Sequence, residues 1–198
     1  MFLKRFVVVF TLCSLLLCHQ AFAAGFGQPI QIADRSGKAL LTVKQDGPSK
    51  WIAKADGRKF VLKRKSAQKS VLIRPDGTKL KVKHKEDKVK LKQGNKLLLK
   101  VKFKPGKVKV ATNEEMDDAW KFTKKNGKIK VKRGDRKLGQ VVVDTKSGKL
   151  VAMDGKKSVV AVCDSGVPEF ALAPVLISES LSEPQVIFLV LLLCSMGL

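Results

Sequence analysis

Few residues in this chain have the types and spacing for covalent or metal chemistry. Beyond residue 23 there is one histidine, His84, set in Lys83-His84-Lys85. To act as a general base an imidazole needs a nucleophile, and a group that orients it, within hydrogen-bond reach. The local sequence supplies neither, and the flanking lysines favour a polar residue on the wet face of a strand. Cys163 and Cys194 are the two cysteines of the same region. With one histidine they cannot complete a zinc site of four nitrogen and sulfur ligands. They could close a disulfide that staples the chain's end to its last strand, or stay as two buried thiols, since free cysteine packs as a small apolar group. The acid-rich run Thr112-Asn113-Glu114-Glu115-Met116-Asp117-Asp118 lacks the glycine and the alternating ligands of a calcium loop. Thr112 with Glu115 is instead a capping box, which predicts a short helical turn before a strand at 119–124. No G-x-S-x-G, H-E-x-x-H, C-x-x-C or phosphate-loop motif occurs, so no reaction signature is present. The expectation is a protein that is not an enzyme and uses no cofactor and no metal.

Lysine is what the chain has in quantity. The formal net charge is +23, and of 40 basic residues 33 are Lys and seven are Arg. Residues 25–162 hold 38 basic and 13 acidic side chains, whereas 163–198 hold no basic residue and four acids, Asp164, Glu169, Glu179 and Glu183. That excess lies far beyond the magnitude of about 2–8 that suits the solubility of a small domain. Lysine is a hydrated point charge, while arginine reads phosphate or guanine bidentately, so the bias predicts a diffuse positive field that collects polyanions. The densest candidates are Lys79, Lys81, Lys83, Lys85, Lys88, Lys90, Lys92, Lys100, Lys102, Lys104, Lys107 and Lys109. The expected partners are an anionic phospholipid or lipopolysaccharide surface, or an acidic polysaccharide. Nucleic acid ranks low: Trp51 and Trp120 fit core or rim packing, and no aromatics are interleaved with the lysines as a single-strand platform requires.

The elements that carry these lysines are strands. Apolar and lysine residues alternate through Leu80/Val82, Val89/Leu91, Leu97/Leu99/Val101/Phe103, Val108/Val110 and Ile129/Val131, the period of a half-buried strand with one wet face. Turn signals recur about every 8–12 residues, as in all-β folds, among them Asp46-Gly47, Asp56-Gly57, Asp76-Gly77, Pro105-Gly106, Asn126-Gly127 and Gly134-Asp135. The chain therefore reads as mainly β: an antiparallel meander of about a dozen strands over 28–162, a number that would curl, close or split into two sheets.

Two apolar stretches bracket the meander. Residues 1–23 read as a secretory signal peptide: Lys4-Arg5, an apolar run from Phe6, then Ala21-Phe22-Ala23. This predicts export to a periplasm, a cell envelope or the exterior, and one β-rich domain over 24–198. At the other end, Val186 to Leu198 carries no charge. Burying its eight large apolar residues is worth on the order of 12–24 kcal/mol before ordering costs. As a helix it spans about 20 Å, short of the roughly 30 Å of a bilayer core. Ser182-Glu183-Pro184 is a helix start and Gly197 a helix stop. The expectation is a core helix, with Val186, Ile187, Phe188, Leu189, Leu191 and Leu192 packed inside a closed or nearly closed barrel. The alternative is a membrane anchor for a structural envelope protein. The apolar segment from Pro168 should be kinked or broken at Pro174 if it is a helix.

Strand–turn units such as Ile52-Ala53-Lys54-Ala55-Asp56-Gly57-Arg58 and Leu72-Ile73-Arg74-Pro75-Asp76-Gly77-Thr78, followed by this tail, resemble the tubby-like barrels, which include the phospholipid scramblase and LURP-one-related families. The resemblance is architectural. It implies a barrel closed around its C-terminal helix and is compatible with a lipid-facing role. The lysine excess, the leader and the absence of tyrosine depart from the family pattern, and no family site maps onto numbered residues.

Overall fold

The computed structural model describes residues 28–164 and 167–198; the signal peptide expected over 1–23 lies outside them. Fourteen strands follow one another in chain order: β1 (Ile30–Ala33), β2 (Ala39–Gln45), β3 (Lys50–Ala55), β4 (Arg58–Ser66), β5 (Lys69–Ile73), β6 (Lys79–Lys85) and β7 (Lys88–Gln93), then β8 (Lys96–Lys104), β9 (Lys107–Ala111), β10 (Trp120–Lys125), β11 (Lys128–Arg133), β12 (Arg136–Val143), β13 (Leu150–Asp154) and β14 (Val159–Cys163). Each pairs antiparallel with its sequence neighbour, and β14 pairs with β1 through Ile32 opposite Cys163, so the meander closes into a barrel with no free edge. Glycines with positive φ, such as Gly57 (74°) and Gly127 (67°), sit in the tight hairpins where Asp-Gly and Asn-Gly require them.

The estimate of a dozen strands falls short because two hairpins lack glycine. Ala67-Gln68 joins β4 to β5 and Glu86-Asp87 joins β6 to β7. The helical turn expected at Thr112–Asp118 is also absent. The segment is a loop in which Met116 takes φ 63° and donates its N–H to Asn113 Oδ1 at 2.9 Å. A left-handed residue interrupts any helical turn there, so the Asn113 side chain, not a helix, satisfies the backbone.

Fourteen strands at about 4.8 Å spacing, tilted by roughly 40°, make a ring about 28 Å across. That is too wide for wall side chains to fill, and a helix about 10–12 Å thick fits inside. α1 (Glu183–Ser195) and a 3₁₀ helix (Glu169–Ser180) fill the lumen together. Phe188, Leu189, Val190, Leu191, Leu192 and Leu193 are all 0% exposed; only an enclosing wall covers a helix on every side. Val186 is the exception among the expected core residues, being partly exposed at the barrel mouth. The tail thus lies inside the barrel, and no described helix is long and apolar enough to cross a membrane.

Both ends of α1 form as their residue types dictate. Gln185 Oε1 accepts the Ser182 N–H and hydroxyl at 2.8 Å, while Gln185 Nε2 donates at 2.6 Å to Leu98 O. Leu98 is the extra residue where the β7–β8 register shifts, so the amide caps the helix and satisfies a carbonyl on the wall. Gly197, at φ 69°, ends the helix, and the Leu198 N–H turns back to Leu193 O. Pro174 does not break the preceding segment: a 3₁₀ helix runs through it. That segment rests on β12 and β13. Gly139 in β12 makes room for it, because a Cβ there would meet Met153 O at 2.3 Å and Leu176 Cδ2 at 2.9 Å.

Candidate polyanion-binding face

Period two points Leu80, Val82, Val89, Leu91, Leu99, Val101, Val108 and Val110 into the core, so the lysines between them face outward. The register then decides which lysines become neighbours. Lys85 in β6 lies opposite Lys88 in β7, Lys88 opposite Lys102 in β8, and Lys102 opposite Lys109 in β9. Lys109 lies opposite Lys121 in β10, Lys121 opposite Lys132 in β11, and Lys132 opposite Lys137 in β12. Seven consecutive strands thus contribute one lysine each to a single unbroken cross-strand row. A shorter row runs beside it through Lys69, Lys83, Lys90 and Lys100. On the other side Lys104 lies opposite Lys107. Lys81 faces Lys92 farther along the wall, while Lys79 lies opposite Ile73.

Like charges directly opposite each other destabilise a sheet, and the few nearby acids relieve only part of the field. Glu114 takes Lys90 at 2.6 Å and Lys100 at 3.3 Å, and its backbone carbonyl also accepts from Lys100. Asp87 takes Lys102 at 3.0 Å. The hydrogen bond from Lys90 holds the Glu114 carboxyl below its ordinary range, and that from Lys102 does the same for Asp87. Among the described residues, no acid pairs with Lys85, Lys88, Lys109, Lys121, Lys132 or Lys137. Lys109 is held below the usual lysine value by partial loss of hydration and then by the charges of Lys107, Lys104, Lys121 and Lys102. The face can attract repeated negative charge, and at one end of the rows Lys69, Lys83 and Lys85 line a shallow concavity with His84.

The residues considered for other chemistry are placed differently. His84 shares the inward parity of Leu80 and Val82 and does not stand on the wet face: at the barrel rim its Nε2 lies 2.8 Å from the hydroxyl of Ser70, which is 5% exposed. Burial, then the Arg64 charge, keeps the imidazole below its ordinary value. Among the described residues no carboxylate hydrogen-bonds this ring, so the serine–histidine pair lacks the orienting acid of a catalytic triad. Cys163 and Cys194 are free thiols, both buried. Burial pushes Cys163 up to about 11, with the Asp164 charge adding to it, and Cys194 up to about 12. No group of three or more metal-ligating side chains occurs among the described residues. Trp51 and Trp120 are 7% and 3% exposed, and the Arg133 guanidinium lies over the Trp120 ring at 4.8 Å, so neither ring is open for stacking on a base.

Sequence reasoning stopped at Lys109 and missed Lys121, Lys132 and Lys137. Part of the signal was present: Asn126-Gly127 fixes Lys125 opposite Lys128, and counting four residues back and forward puts Lys121 opposite Lys132. Compared with protein-family models, with curated proteins and with solved structures, the chain matches none.

Proposed function

We propose that this protein is a non-enzymatic, exported barrel that binds polyanions in the cell envelope through the lysine rows on its outer wall. The observation that carries this reading is the seven-lysine row, of which six ammonium groups have no acidic partner among the described residues. An alignment of like charges costs stability, and a bound polyanion removes that cost by neutralising it. Anionic phospholipid, lipopolysaccharide and acidic polysaccharide all present the required charge. Nucleic acid would be attracted by the same field, but the wall offers it no stacking surface.

The experiment compares the mature protein on anionic liposomes, neutral liposomes and an immobilised acidic polysaccharide as salt rises. The expected result is binding to anionic supports alone, lost progressively with salt. No binding to any anionic support at low salt would overturn the proposal. Fractionation of the host gives a second check. With the tail housed in its own barrel, salt or buffer should release the protein, whereas a need for detergent would point to an anchor in lipid.

A further inference from the structure

We infer that the barrel mouth at the α1 N-terminus binds one long-chain fatty acid, its hydrocarbon in an apolar cleft and its carboxylate on Arg136 and Lys156. The inference does not rest on the lysine rows. Two joined clefts carry it. The first, about 310 Å³, lies between β2, the end of the 3₁₀ helix and the first turns of α1. Ile32, Leu41, Ile187 and Val190 form its buried floor, and Leu181 and Val186 are partly exposed walls. The second, about 660 Å³, continues over the starts of β12 and β14. Leu40, Val175 and Ser178 line both, so the two form one groove.

The wall is shaped for this groove. Ile32 pairs with Leu41 and Ala33 with Ala39, which leaves Leu40 as an extra residue. In the same way Leu138 is extra between Lys137 and Gly139, and Val160 between Val159 and Ala161. A bulge forfeits ladder bonds and re-aims its side chain. Three separate bulges on one rim thus bring apolar side chains onto the same groove. Leu40 remains 38% exposed, with nothing among the described residues to cover it. A cleft of about 310 Å³ is at the low end of small-molecule pockets, so it takes one hydrocarbon chain and not the two of a phospholipid. The charges orient such a chain. Beside the apolar part, Arg58 pairs with Glu183 at 2.7 Å and reaches Asp56 at 3.8 Å. Beyond Leu40 stand Arg136, Lys137 and Lys156, and among the described residues none of them has an acid within ion-pair distance. Asp154 and Glu179 line the same part, but Asp154 Oδ1 is already held by the N–H groups of Lys156 and Ser158. An arginine fork matches a carboxylate. An anionic bilayer is a poor occupant, because the loop carrying Glu114, Glu115, Asp117 and Asp118 stands on this same rim.

Calorimetry of the mature protein with saturated fatty acids of graded length, each below its micelle concentration, tests the inference. One site per barrel is expected. Affinity should rise about fourfold for each added methylene until the cleft is full, and then level off. Leu40→Gln should weaken binding about tenfold. Val143→Gln, which alters another exposed apolar residue at the opposite rim, should leave it unchanged. Arg136→Gln with Lys156→Gln should weaken the acid about tenfold and spare the alcohol of the same chain length. Glu179→Gln should tighten the acid. Every variant is checked for an intact thermal transition. Several weak sites per barrel, no loss in Leu40→Gln, or failure of every acid to bind would overturn the inference. Equal affinity for acid and alcohol would overturn the placing of a carboxylate on Arg136 and Lys156. Tighter binding of a lysophospholipid would overturn the fatty acid in favour of a phosphate head, and binding of anionic liposomes lost in Leu40→Gln would do so in favour of a membrane. None of these outcomes bears on salt-dependent binding at the lysine rows, so the two readings fail separately.

Discussion

Replacing Lys109 by Gln should make the barrel more stable, although it removes a side chain from a well-ordered wall. Register places Lys109 between Lys102 and Lys121, and side chains splaying from a convex wall put the ammonium groups about 7 Å apart. At that distance in water each like-charge contact costs about 0.6 kcal/mol when unscreened, which is the condition near 10 mM salt. Two contacts amount to about 1.2 kcal/mol, an upper figure because lysine side chains can swing apart. For a domain of this size a kcal/mol moves the melting point by about 2–4 °C, so the expected rise is about 2–5 °C. In 1 M salt the Debye length shrinks to about 3 Å and most of the difference should vanish. The assay is thermal unfolding by circular dichroism of wild type and Lys109→Gln at both salt concentrations. A fall in melting point, or a rise that is the same at 10 mM and 1 M salt, would refute the like-charge account of the row.

Three other outcomes follow from the interior. Gly139→Ala places a Cβ against Met153 O and Leu176, and overpacking of this kind costs about 1–3 kcal/mol; chemical denaturation should show that loss. Cys163 and Cys194, buried and with raised thiol values, should resist a thiol reagent at pH 8 and react at once when denaturant is added. His84 is held below its ordinary value, so between pH 6.5 and its folded value the unfolded chain binds more protons than the native one. Stability should accordingly be complete above about pH 6.5 and decline as pH falls, and His84→Gln should flatten that decline in unfolding curves recorded at pH 7.5, 6.5 and 5.5.

Alternation of apolar residues with lysine marked the strands and their inward faces, because a period of two is written in each strand separately, while closure over two packed sheets is decided by the pairing of β1 with β14, which no local pattern marks. The helix ends were legible for the same reason: Ser182, Pro184 and Gly197 act on their own neighbours. What the sequence hid was mainly non-local. Glycine-free hairpins at Ala67-Gln68 and Glu86-Asp87 carry no turn residue to mark them, so two strands were not counted. The pairing of Lys109 with Lys121 spans the irregular loop after Ala111, and no spacing rule crosses such a loop. His84 had the inward parity of its strand, but its partner Ser70 lies on the neighbouring strand, where only the fold brings it close. The capping box at Thr112 shows the reverse failure, a local signal overruled by the left-handed turn at Met116.

The order in which the lumen is filled has a consequence for how the molecule comes into being. All fourteen strands precede the 3₁₀ helix and α1 in the chain, so a growing polypeptide presents its wall before it has anything to put inside. The hairpins are local and can form early. The seam between β1 and β14 must wait for residues more than a hundred positions apart, and the hollow wall exposes apolar surface until the last helix arrives. Premature termination before Glu169 would therefore leave an empty, sticky shell, and termination before Glu183 one that is only partly filled. A chain held unfolded until it is complete, as one threaded through a translocation channel is, avoids that intermediate altogether.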